Sequence, residues 1–399
     1  MRSELLNVLQ QRGYVHQATD LDALDARAAA GPITAYIGFD LTAPSLHVGN
    51  LVSIMLLRRL EQTGHRAVVL LGGGTSQVGD PSGKDEGRQL LTAETIAANK
   101  ASIGATFARF LGDQITVDNA DWLNGLAYIP FLRDIGKHFS VNRMLTFDSV
   151  RLRLDREQPL SFLEFNYMIL QAYDFLELSR RHDVCLQMGG SDQWGNIVGG
   201  TDLIRRLDGR HAFGLTTPLI TTADGAKMGK TAAGALWLSA NMLAPYDYWQ
   251  FWRNTHDADV GRFLKLFTDM PLDEIVRIEA LEGSEINAAK AALADAATAL
   301  AHGPDAAAAA ADTARATFAE GGAGEDLPRI AAPGGIALVD ALVELGFVAS
   351  KGEARRLIAG GGARVEGEPV SDPAYAIAPG TAPVRLSAGR KRHGLVEFG

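Results

Sequence analysis

Four polar, glycine-rich segments of the sequence carry residue types that bind and polarise phosphate groups. The first follows an apolar stretch and contains Asp40, Thr42, His47, Gly49 and Asn50. The other three occupy residues 72–88, 189–196 and 224–231. Glycine lets a ligand approach the backbone closely, lysine supplies positive charge, and a helix N-terminus presents unpaired N–H groups to an anion. Together these segments predict a site for a nucleoside triphosphate.

The sequence His47-Val48-Gly49-Asn50 lies where a predicted strand gives way to a helix with apolar periodicity. The start of that helix has unpaired N–H groups and the positive end of the helix dipole. His47 can donate to a phosphate oxygen there, and Gly49 leaves room for a flat base. The alternative is a helix cap in which Asn50 satisfies backbone donors, and for this segment alone the alternative is at least as well supported.

Two of the segments, "GDPSGKD" and "GAKMGKT", come close to the P-loop motif without matching it. The motif requires four residues between its two glycines, whereas both segments have three. We therefore exclude a P-loop. Lys227, Lys230 and Thr231 suit the stabilisation of charge on a leaving pyrophosphate. An exposed basic turn explains the same residues, and the segment alone favours that simpler account.

The segment "FLEFNYMILQAYDFLEL" predicts a helix that is apolar nearly all round and therefore buried. Tyr167, Gln171 and Asp174 recur at i, i+4 and i+7, so they share one face of it. Buried polar groups require hydrogen-bond partners. Bonding to neighbouring loops and binding of a small polar ligand account for this stripe equally well.

The elements that would position these residues alternate in type between residues 33 and 220. Short apolar runs such as "ITAYIGF", "AVVLLGG", "ITVDN" and "DVCLQMGG" are separated by longer segments with helical periodicity. This pattern predicts an α/β fold with a parallel sheet and helices on both faces. Ligands bind such sheets at the carboxyl ends of the strands, where all four polar segments are expected.

The remainder of the chain changes character twice. Residues 246–320 show no strand pattern and are dense in alanine, which predicts a helical region. A Gly/Pro/Ala-rich linker follows, and then two helical segments and hairpin-like strands indicate a small α+β domain. We predict a catalytic domain at 1–225, a helical domain at 226–320, a linker at 321–335 and a last domain at 336–399.

Composition excludes several classes of protein. The 399 residues exceed the usual size of one domain, and Cys185 is the only cysteine, which excludes a disulfide framework and a multi-cysteine metal site. The N-terminus lacks the continuous apolar stretch of a signal peptide, and no run is long enough to cross a bilayer. We therefore expect a soluble cytoplasmic protein with no membrane contact and no protein-bound metal.

Charge is distributed unevenly along the chain. The net charge is −9, but residues 350–399 hold eight Lys or Arg against five Asp or Glu, so this tail carries +3 and the rest −12. A basic module on an acidic body could bind a polyanion locally. Taken alone, however, such an asymmetry is more typical of a solvated surface.

In combination, these segments resemble the bacterial tyrosyl-tRNA synthetases, which belong to the class I aminoacyl-tRNA synthetases. "HVGN" is similar to the HIGH motif of that class and "KMGKT" to its KMSKS motif. "YIGFD", "GDPSGK", "NYMILQAYDF" and "GGSDQWGN" resemble the tyrosyl branch in particular. The likeness extends from about residue 33 to 260, and the last domain resembles the alpha-L RNA-binding module. The implied catalytic domain is Rossmann-like.

The resemblance implies a role for each matching residue. Tyr36 and Asp174 would hold the phenol of the substrate, Asp80, Tyr167 and Gln171 its ammonium group, and Gln193 would lie near its carboxylate. Gly38, Asp40 and Asp192 would contact adenosine, and Gly49 and Asn50 would line the ATP site. The phosphates would be contacted by Thr42, His47, Lys84, Arg88, Lys227, Lys230 and Thr231. In the basic tail, we expect tRNA contacts from Lys351, Arg355, Arg356, Arg390, Lys391 and Arg392.

The implied activity is tyrosine–tRNA ligation, with L-tyrosine, ATP and tRNA(Tyr) as substrates, Mg²⁺ on the triphosphate and a homodimeric assembly. Two positions depart from the motifs: Asn50 replaces the second histidine of HIGH, and Gly229 replaces the first serine of KMSKS. Asn50 retains a hydrogen-bond donor and Gly229 loosens the loop, so neither change is expected to abolish activity.

Three other readings compete with this one. A tryptophanyl synthetase would share the fold and both motifs, although the pairing of Tyr36 with Asp174 favours a phenol over an indole. A small-molecule nucleotidyltransferase would not need the helical region or the basic tail. A non-catalytic RNA-binding relative would explain the tail, but it would have no reason to combine Asp80, Asp192, Lys227 and Lys230.

Overall fold

The computed structural model describes residues 1–81, 91–223, 225, 228–231, 234–281, 283–319, 327–389 and 392–398. The chain forms two compact units, of which the first comprises Met1–Met228 and Gly261–Glu279 and the second Gly229–Val260 and Ala280–Gly399. In this division Gly261–Glu279, which the sequence places in the helical domain, groups with the first unit.

The helices and strands are numbered here in chain order. The helices are α1 (Glu4–Gln11), α2 (Leu21–Ala29), α3 (Val48–Gln62), α4 (Ala93–Phe110), α5 (Ala120–Leu123), α6 (Tyr128–Asp134), α7 (Val141–Met144), α8 (Asp148–Asp155), α9 (Phe162–His182), α10 (Trp194–Asp208), α11 (Pro245–Arg253), α12 (Val260–Phe267), α13 (Leu272–Glu279), α14 (Ile286–His302), α15 (Pro304–Ala319), α16 (Leu338–Glu344) and α17 (Lys351–Ala359). The strands are β1 (Gln17–Ala18), β2 (Thr34–Asp40), β3 (Arg66–Gly72), β4 (Ile115–Asp118), β5 (Val184–Gly190), β6 (Phe213–Thr217), β7 (Lys230–Thr231), β8 (Gly234–Ala235), β9 (Arg329–Ala331), β10 (Ile336–Ala337), β11 (Ala363–Val365), β12 (Glu368–Val370), β13 (Ala376–Ile377), β14 (Val384–Ala388) and β15 (Arg392–Glu397).

The first unit contains a six-stranded sheet in the order β1-β6-β5-β2-β3-β4. Strands β2 to β6 are parallel, and the short β1 pairs antiparallel with β6. The order reverses between β2 and β5, so the carboxyl ends of these two strands frame a topological switch point, where open α/β sheets bind ligands. The predicted parallel sheet is therefore confirmed.

The two helices that flank this point begin with reciprocal caps. In α3 the His47 side chain accepts from a backbone N–H of the first turn, while the Asn50 side chain accepts from the His47 N–H. In α9 Ser161 and Glu164 form the same kind of box, and the helix ends at Asp183 in the left-handed region. Such caps satisfy N–H groups that have no partner within the helix.

Residues 261–279 join the first unit through buried arginines. Arg12 donates to the backbone carbonyls of Lys265, Thr268 and Met270, and Arg59 forms an ion pair with Asp269 at 2.7 Å. Because Arg12 and Arg59 are buried, these bonds are needed to offset the desolvation of the two cations. Arg12 caps the end of α1 and Arg59 lies on α3, and their bonds explain why residues 261–279 group with the first unit.

The second unit contains the rest of the predicted helical region and the small α+β domain. Trp249 of α11 donates to Asp295 of α14 at 2.7 Å, and Lys290 forms an ion pair with Asp257. The predicted linker contains β9, which pairs in parallel with β15 in a five-stranded sheet. Of that linker, residues 321–326 lie outside the described residues.

No helix within the described part of the chain has the length and apolar character that crossing a membrane requires.

Candidate active site

The carboxyl ends of β2 and β5 border an open space on one face of the sheet. Tyr36, Gly38 and Asp40 alternate onto the same face of β2, since side chains repeat every second residue along a strand. Gly38 is exposed although its strand lies inside the sheet. A methyl group built at Gly38 would have Leu70 Cδ2 as its nearest described neighbour, 3.9 Å away. This opening provides room for a ligand.

Asp174 of α9 is buried and only 2% exposed. Its Oδ1 accepts from Trp122 Nε1 at 2.7 Å, and its Oδ2 accepts from Asn119 Nδ2 at 2.9 Å. Burial raises the pKa of Asp174 to about 7, with Asp40 and Asp118 adding to the rise, while the bonds from Asn119 and Trp122 oppose it. Two donors therefore hold a carboxylate where the sheet excludes water.

Tyr36 is also buried, at 1% exposure, and its hydroxyl has no hydrogen-bond partner among the described residues. Burial and the neighbouring Asp174 raise the pKa of this phenol well above its ordinary value. An unpaired buried hydroxyl is costly, and a ligand that pairs with it would offset that cost. The partner best suited to Tyr36 and Asp174 together is another hydroxyl, which can both accept a hydrogen bond and donate one.

Polar side chains from three segments form a continuous hydrogen-bond network close to Tyr36 and Asp174 in the site. Gln171 donates to Gln193 at 3.2 Å, Gln193 donates to Asp80 at 2.9 Å, and Asn196 donates to Gln171 at 2.9 Å. The buried carboxylate of Asp80 is thereby held next to Gln193. A carboxylate and amide oxygens in this arrangement can accept hydrogen bonds from an ammonium group.

A second hydrogen-bond network connects Asp174 to Asp40, the last residue of β2. The Tyr167 hydroxyl donates to Asp40 Oδ1 at 3.3 Å, and Thr75 Oγ1 donates to the same oxygen at 3.5 Å. Asn119 donates to Thr75 at 2.9 Å and to Asp174, so one amide orients both. The face shared by Tyr167, Gln171 and Asp174 is confirmed, although each contacts different partners.

The helix start at His47 is capped as the alternative interpretation predicted. His47 Nδ1 accepts from the Gly49 N–H at 3.0 Å, and Asn50 Oδ1 accepts from the His47 N–H at 3.1 Å. A methyl group at Gly49 would lie 2.6 Å from the His47 ring and 2.9 Å from the Met228 carbonyl, so only glycine fits. Asn50 therefore has a demonstrated structural contact, and its contact with ATP remains a prediction.

Several predicted residues are exposed or lie outside the described structure. Thr42 and Asp192 are exposed, and Gln193 donates to Asp192 at 3.3 Å. Lys84, Arg88, Lys227, Arg390 and Lys391 lie outside the described residues, as do the side chains of Lys230 and Thr231. Within the described part, no group of three or more His, Cys, Asp or Glu side chains is arranged to hold a metal ion.

Four of the six predicted tRNA-contact residues of the basic tail lie among the described residues, and all four are exposed. Lys351, Arg355 and Arg356 are exposed on α17, and Lys351 forms an ion pair with Asp340 at 2.7 Å. The Arg392 guanidinium donates to the Phe347 carbonyl within the same domain. Arg355 and Arg356 therefore remain the clearest described candidates for contact with a polyanion.

Comparison with known proteins assigns the family. A model of class I tRNA synthetases (W and Y) matches residues 28–319, and a model of the S4 domain matches residues 338–382. A protein from Novosphingobium aromaticivorans named tyrosine–tRNA ligase is 64% identical, over 99% of this chain and 98% of that protein. The chain belongs to the tyrosyl-tRNA synthetase family of class I. A Zymomonas mobilis member of the same name is also 64% identical, over 100% and 99% of the two chains.

A solved structure supports the same assignment for the synthetase fold. The C-terminally truncated mitochondrial tyrosyl-tRNA synthetase of Aspergillus nidulans is 32% identical, with a TM-score of 0.71 over 79% of this chain and 94% of that chain. The fold class predicted from the sequence is confirmed, including the C-terminal S4 domain. The alternatives of a nucleotidyltransferase and a non-catalytic RNA-binding protein do not fit these relatives.

Sequence reasoning missed four residues of this synthetase site. Asn119 and Trp122 hold Asp174, Thr75 bonds Asn119 and Asp40, and Asn196 bonds Gln171. Asn119 directly follows β4, so the rule that places ligands at strand ends could have identified it. Trp122 gave no such indication, because an indole in "NADWL" reads as an ordinary core residue.

Proposed function

We propose that this synthetase activates L-tyrosine with ATP to form tyrosyl-adenylate and pyrophosphate, and then transfers tyrosine to the 3′-terminal ribose of tRNA(Tyr). The observation that carries the proposal is the unpaired buried hydroxyl of Tyr36 next to Asp174. A substrate phenol would accept from Tyr36 and donate to Asp174, so both groups would gain partners when the pocket fills.

The same pair supports selection against other aromatic amino acids. Phenylalanine would leave the Tyr36 hydroxyl unpaired in a dry pocket, which is costly, and would offer Asp174 no donor beyond Asn119 and Trp122. The indole of tryptophan can donate to Asp174, but it has no acceptor for the Tyr36 hydroxyl. Tyrosyl-tRNA synthetases are known for discrimination of this kind, so we predict its direction and not its magnitude.

The remaining roles concern the reacting groups. Asp80, Tyr167 and Gln171 hold the ammonium group in our proposal, with Gln193 near the carboxylate. That carboxylate attacks the α-phosphorus of ATP, and pyrophosphate leaves. No enzyme nucleophile is required, so catalysis consists of positioning and charge stabilisation.

The nucleotide would lie between β2 and the N-terminus of α3. We assign the adenosine to Gly38, Asp40 and Asp192, with Gly49 and Asn50 lining the site. The phosphates would be contacted by Thr42, His47, Lys84, Arg88, Lys227, Lys230 and Thr231. ATP would arrive with Mg²⁺ bound to its phosphates, as the charge of a triphosphate favours.

For tRNA we propose contacts from the C-terminal domain, through Arg355 and Arg356 together with Lys351, Arg390, Lys391 and Arg392. The exposure of α17 supports this role for the first two. We expect the protein to act in the cytoplasm, where tRNA is charged for translation.

We also propose a homodimer. Eight of the fourteen exposed large apolar side chains of the described structure fall within residues 128–163, and Ile129 is 69% exposed. Concentrated apolar exposure is typical of an interface. Sedimentation should show that Ile129→Asp dissociates the dimer, whereas Val276→Asp, at a position 61% exposed elsewhere in the first unit, should leave it intact. A monomeric wild-type protein would refute the proposal.

Amino-acid-dependent exchange of pyrophosphate into ATP, run across all twenty amino acids, tests the catalytic assignment. We expect exchange with tyrosine and charging of tRNA(Tyr). Exchange with tryptophan instead would indicate the sister specificity, and no exchange with any amino acid would refute an activating enzyme.

A further inference from the structure

Trp122 is held by one contact through its indole N–H group and another through the face of its ring. Its Nε1–H donates to Asp174 Oδ1 at 2.7 Å, and the Arg181 guanidinium carbon lies 5.3 Å from the centroid of its ring. The indole itself is buried, at 6% exposure. Trp122 therefore lies between the carboxylate that we assign to the substrate phenol and a cation nearer the surface.

Arg181 is itself held in place from the same helix. Asp174, Glu177 and Arg181 lie at i, i+3 and i+7 of α9, which puts them along one stripe. Glu177 Oε2 accepts from Arg181 Nε at 2.8 Å, and Glu177 is nearly buried while Arg181 is half exposed. The ion pair restricts the guanidinium to the side of the helix on which Trp122 packs.

We propose that Arg181 is a positioning residue for tyrosine recognition, which acts through Trp122 on the carboxylate of Asp174. This inference rests on the proposed function. A cation over the face of an indole is attracted by its ring electrons and withdraws electron density from the N–H group, which becomes a better donor. Arg181 thus strengthens and orients the hydrogen bond that keeps Asp174 ready to accept from the substrate.

The charged and titratable groups around Asp174 determine in which direction the loss of Arg181 shifts its protonation. Asp40 of β2 and Asp118 of β4 favour protonation of Asp174, whereas Asn119 and Trp122 donate to it and favour ionisation. Tyr36 faces Asp174 from β2, and Glu177 and Arg181 follow on its own helix. Loss of Arg181 weakens one of the two donors, so protonation of Asp174 should begin at higher pH.

The experiment compares Arg181→Gln with Arg180→Gln in the full-length protein. Arg180 is a control of the same charge and similar exposure. It pairs with Asp208 at 2.6 Å and with Glu177 at 3.7 Å, whereas the cation over the Trp122 ring is that of Arg181. The measurement is KM for tyrosine and kcat in pyrophosphate exchange from pH 6 to 9. Arg181→Lys, which retains a cation, tests rescue.

We expect Arg181→Gln to raise KM for tyrosine about two- to fivefold at pH 7, the equilibrium equivalent of a cation–π contact at a half-exposed site. As the pH is lowered, KM for tyrosine should begin to rise at a higher pH in Arg181→Gln than in the wild type, with kcat unchanged. Arg181→Lys should restore most of the lost affinity for tyrosine. In a Trp122→Phe background, which lacks the indole donor, Arg181→Gln should add little.

Two results would overturn the inference. If the wild-type protein exchanges with tyrosine but Arg181→Gln and Arg180→Gln have the same KM and pH profile, Arg181 has no role in recognition. If the wild-type protein shows no tyrosine-dependent exchange, the proposed function fails and this inference fails with it.

Discussion

Replacing Tyr36 by Phe should weaken tyrosine binding without weakening the fold. The substitution removes one buried hydroxyl, and this hydroxyl has no hydrogen-bond partner among the described residues. The ring remains, including its contact with Phe175 at a centroid distance of 5.3 Å. Removal of a paired buried polar group lowers stability. Here the hydroxyl is unpaired, so we expect weaker tyrosine binding but no loss of stability in the ligand-free protein.

The magnitudes follow from the unpaired state of the oxygen. A buried hydroxyl without a partner costs roughly 1–3 kcal/mol, so its removal should leave the ligand-free protein equally stable or more stable. In the complex the same oxygen would donate to the substrate phenol. A neutral hydrogen bond contributes about 0.5–1.5 kcal/mol, which corresponds to a rise in KM for tyrosine of roughly two- to twelvefold.

Tyr14 provides a matched control for stability. It is equally buried, but its hydroxyl donates to the Leu266 carbonyl at 2.5 Å. Tyr14→Phe should therefore lower the thermal midpoint by roughly 2–6 °C, the equivalent of about 1–2 kcal/mol in a domain of this size, and leave KM for tyrosine unchanged. The assays are thermal unfolding of the ligand-free variants and pyrophosphate exchange with tyrosine and phenylalanine.

The reasoning is refuted if Tyr36→Phe lowers the midpoint as much as Tyr14→Phe does, because the Tyr36 hydroxyl would then have an internal partner. It is also refuted if KM for tyrosine and for phenylalanine change by the same factor, since only tyrosine offers a phenol to Tyr36.

The remaining predictions concern Asp174, Gly49 and the C-terminal domain. Asp174→Ala should reduce kcat/KM for tyrosine far more than for phenylalanine. In the wild-type protein KM for tyrosine should rise below about pH 7, because protonation of Asp174 removes the acceptor of the substrate phenol. Burial raises the pKa of Asp174, so this group contributes fully to fold stability only at acid pH, and its contribution falls as the pH rises through 7. If the stability of the ligand-free wild type increased over this pH range while that of Asp174→Ala did not, the assignment would be contradicted. Gly49→Ala should lower the exchange rate at least about tenfold through its clash with His47 and Met228, and an unchanged rate would mean that the helix start moves freely. Deletion of residues 327–399, a cut that removes β9 with its sheet, should leave exchange largely intact while tRNA charging falls; a matching loss of both would mean that this domain supports the catalytic fold.

The positions of strands and helices in the catalytic domain followed from local pattern. The run "ITAYIGF" predicted β2 to within one residue at each end, and the apolar helix with Tyr167, Gln171 and Asp174 on one face is α9. Such features depend on the periodicity of neighbouring residues and on capping side chains, which a single sequence displays directly. The order of the polar segments also indicated the family.

Only the tertiary structure decided which distant groups meet. Trp122 and Asn119 lie more than fifty positions before Asp174, yet they are the donors that hold its carboxylate. Arg12 and Arg59 likewise draw residues 261–279 into the first unit, and β9 joins a sheet from within the predicted linker. Contacts of this kind depend on how helices pack and strands register across the whole domain, and no local period in the sequence encodes them.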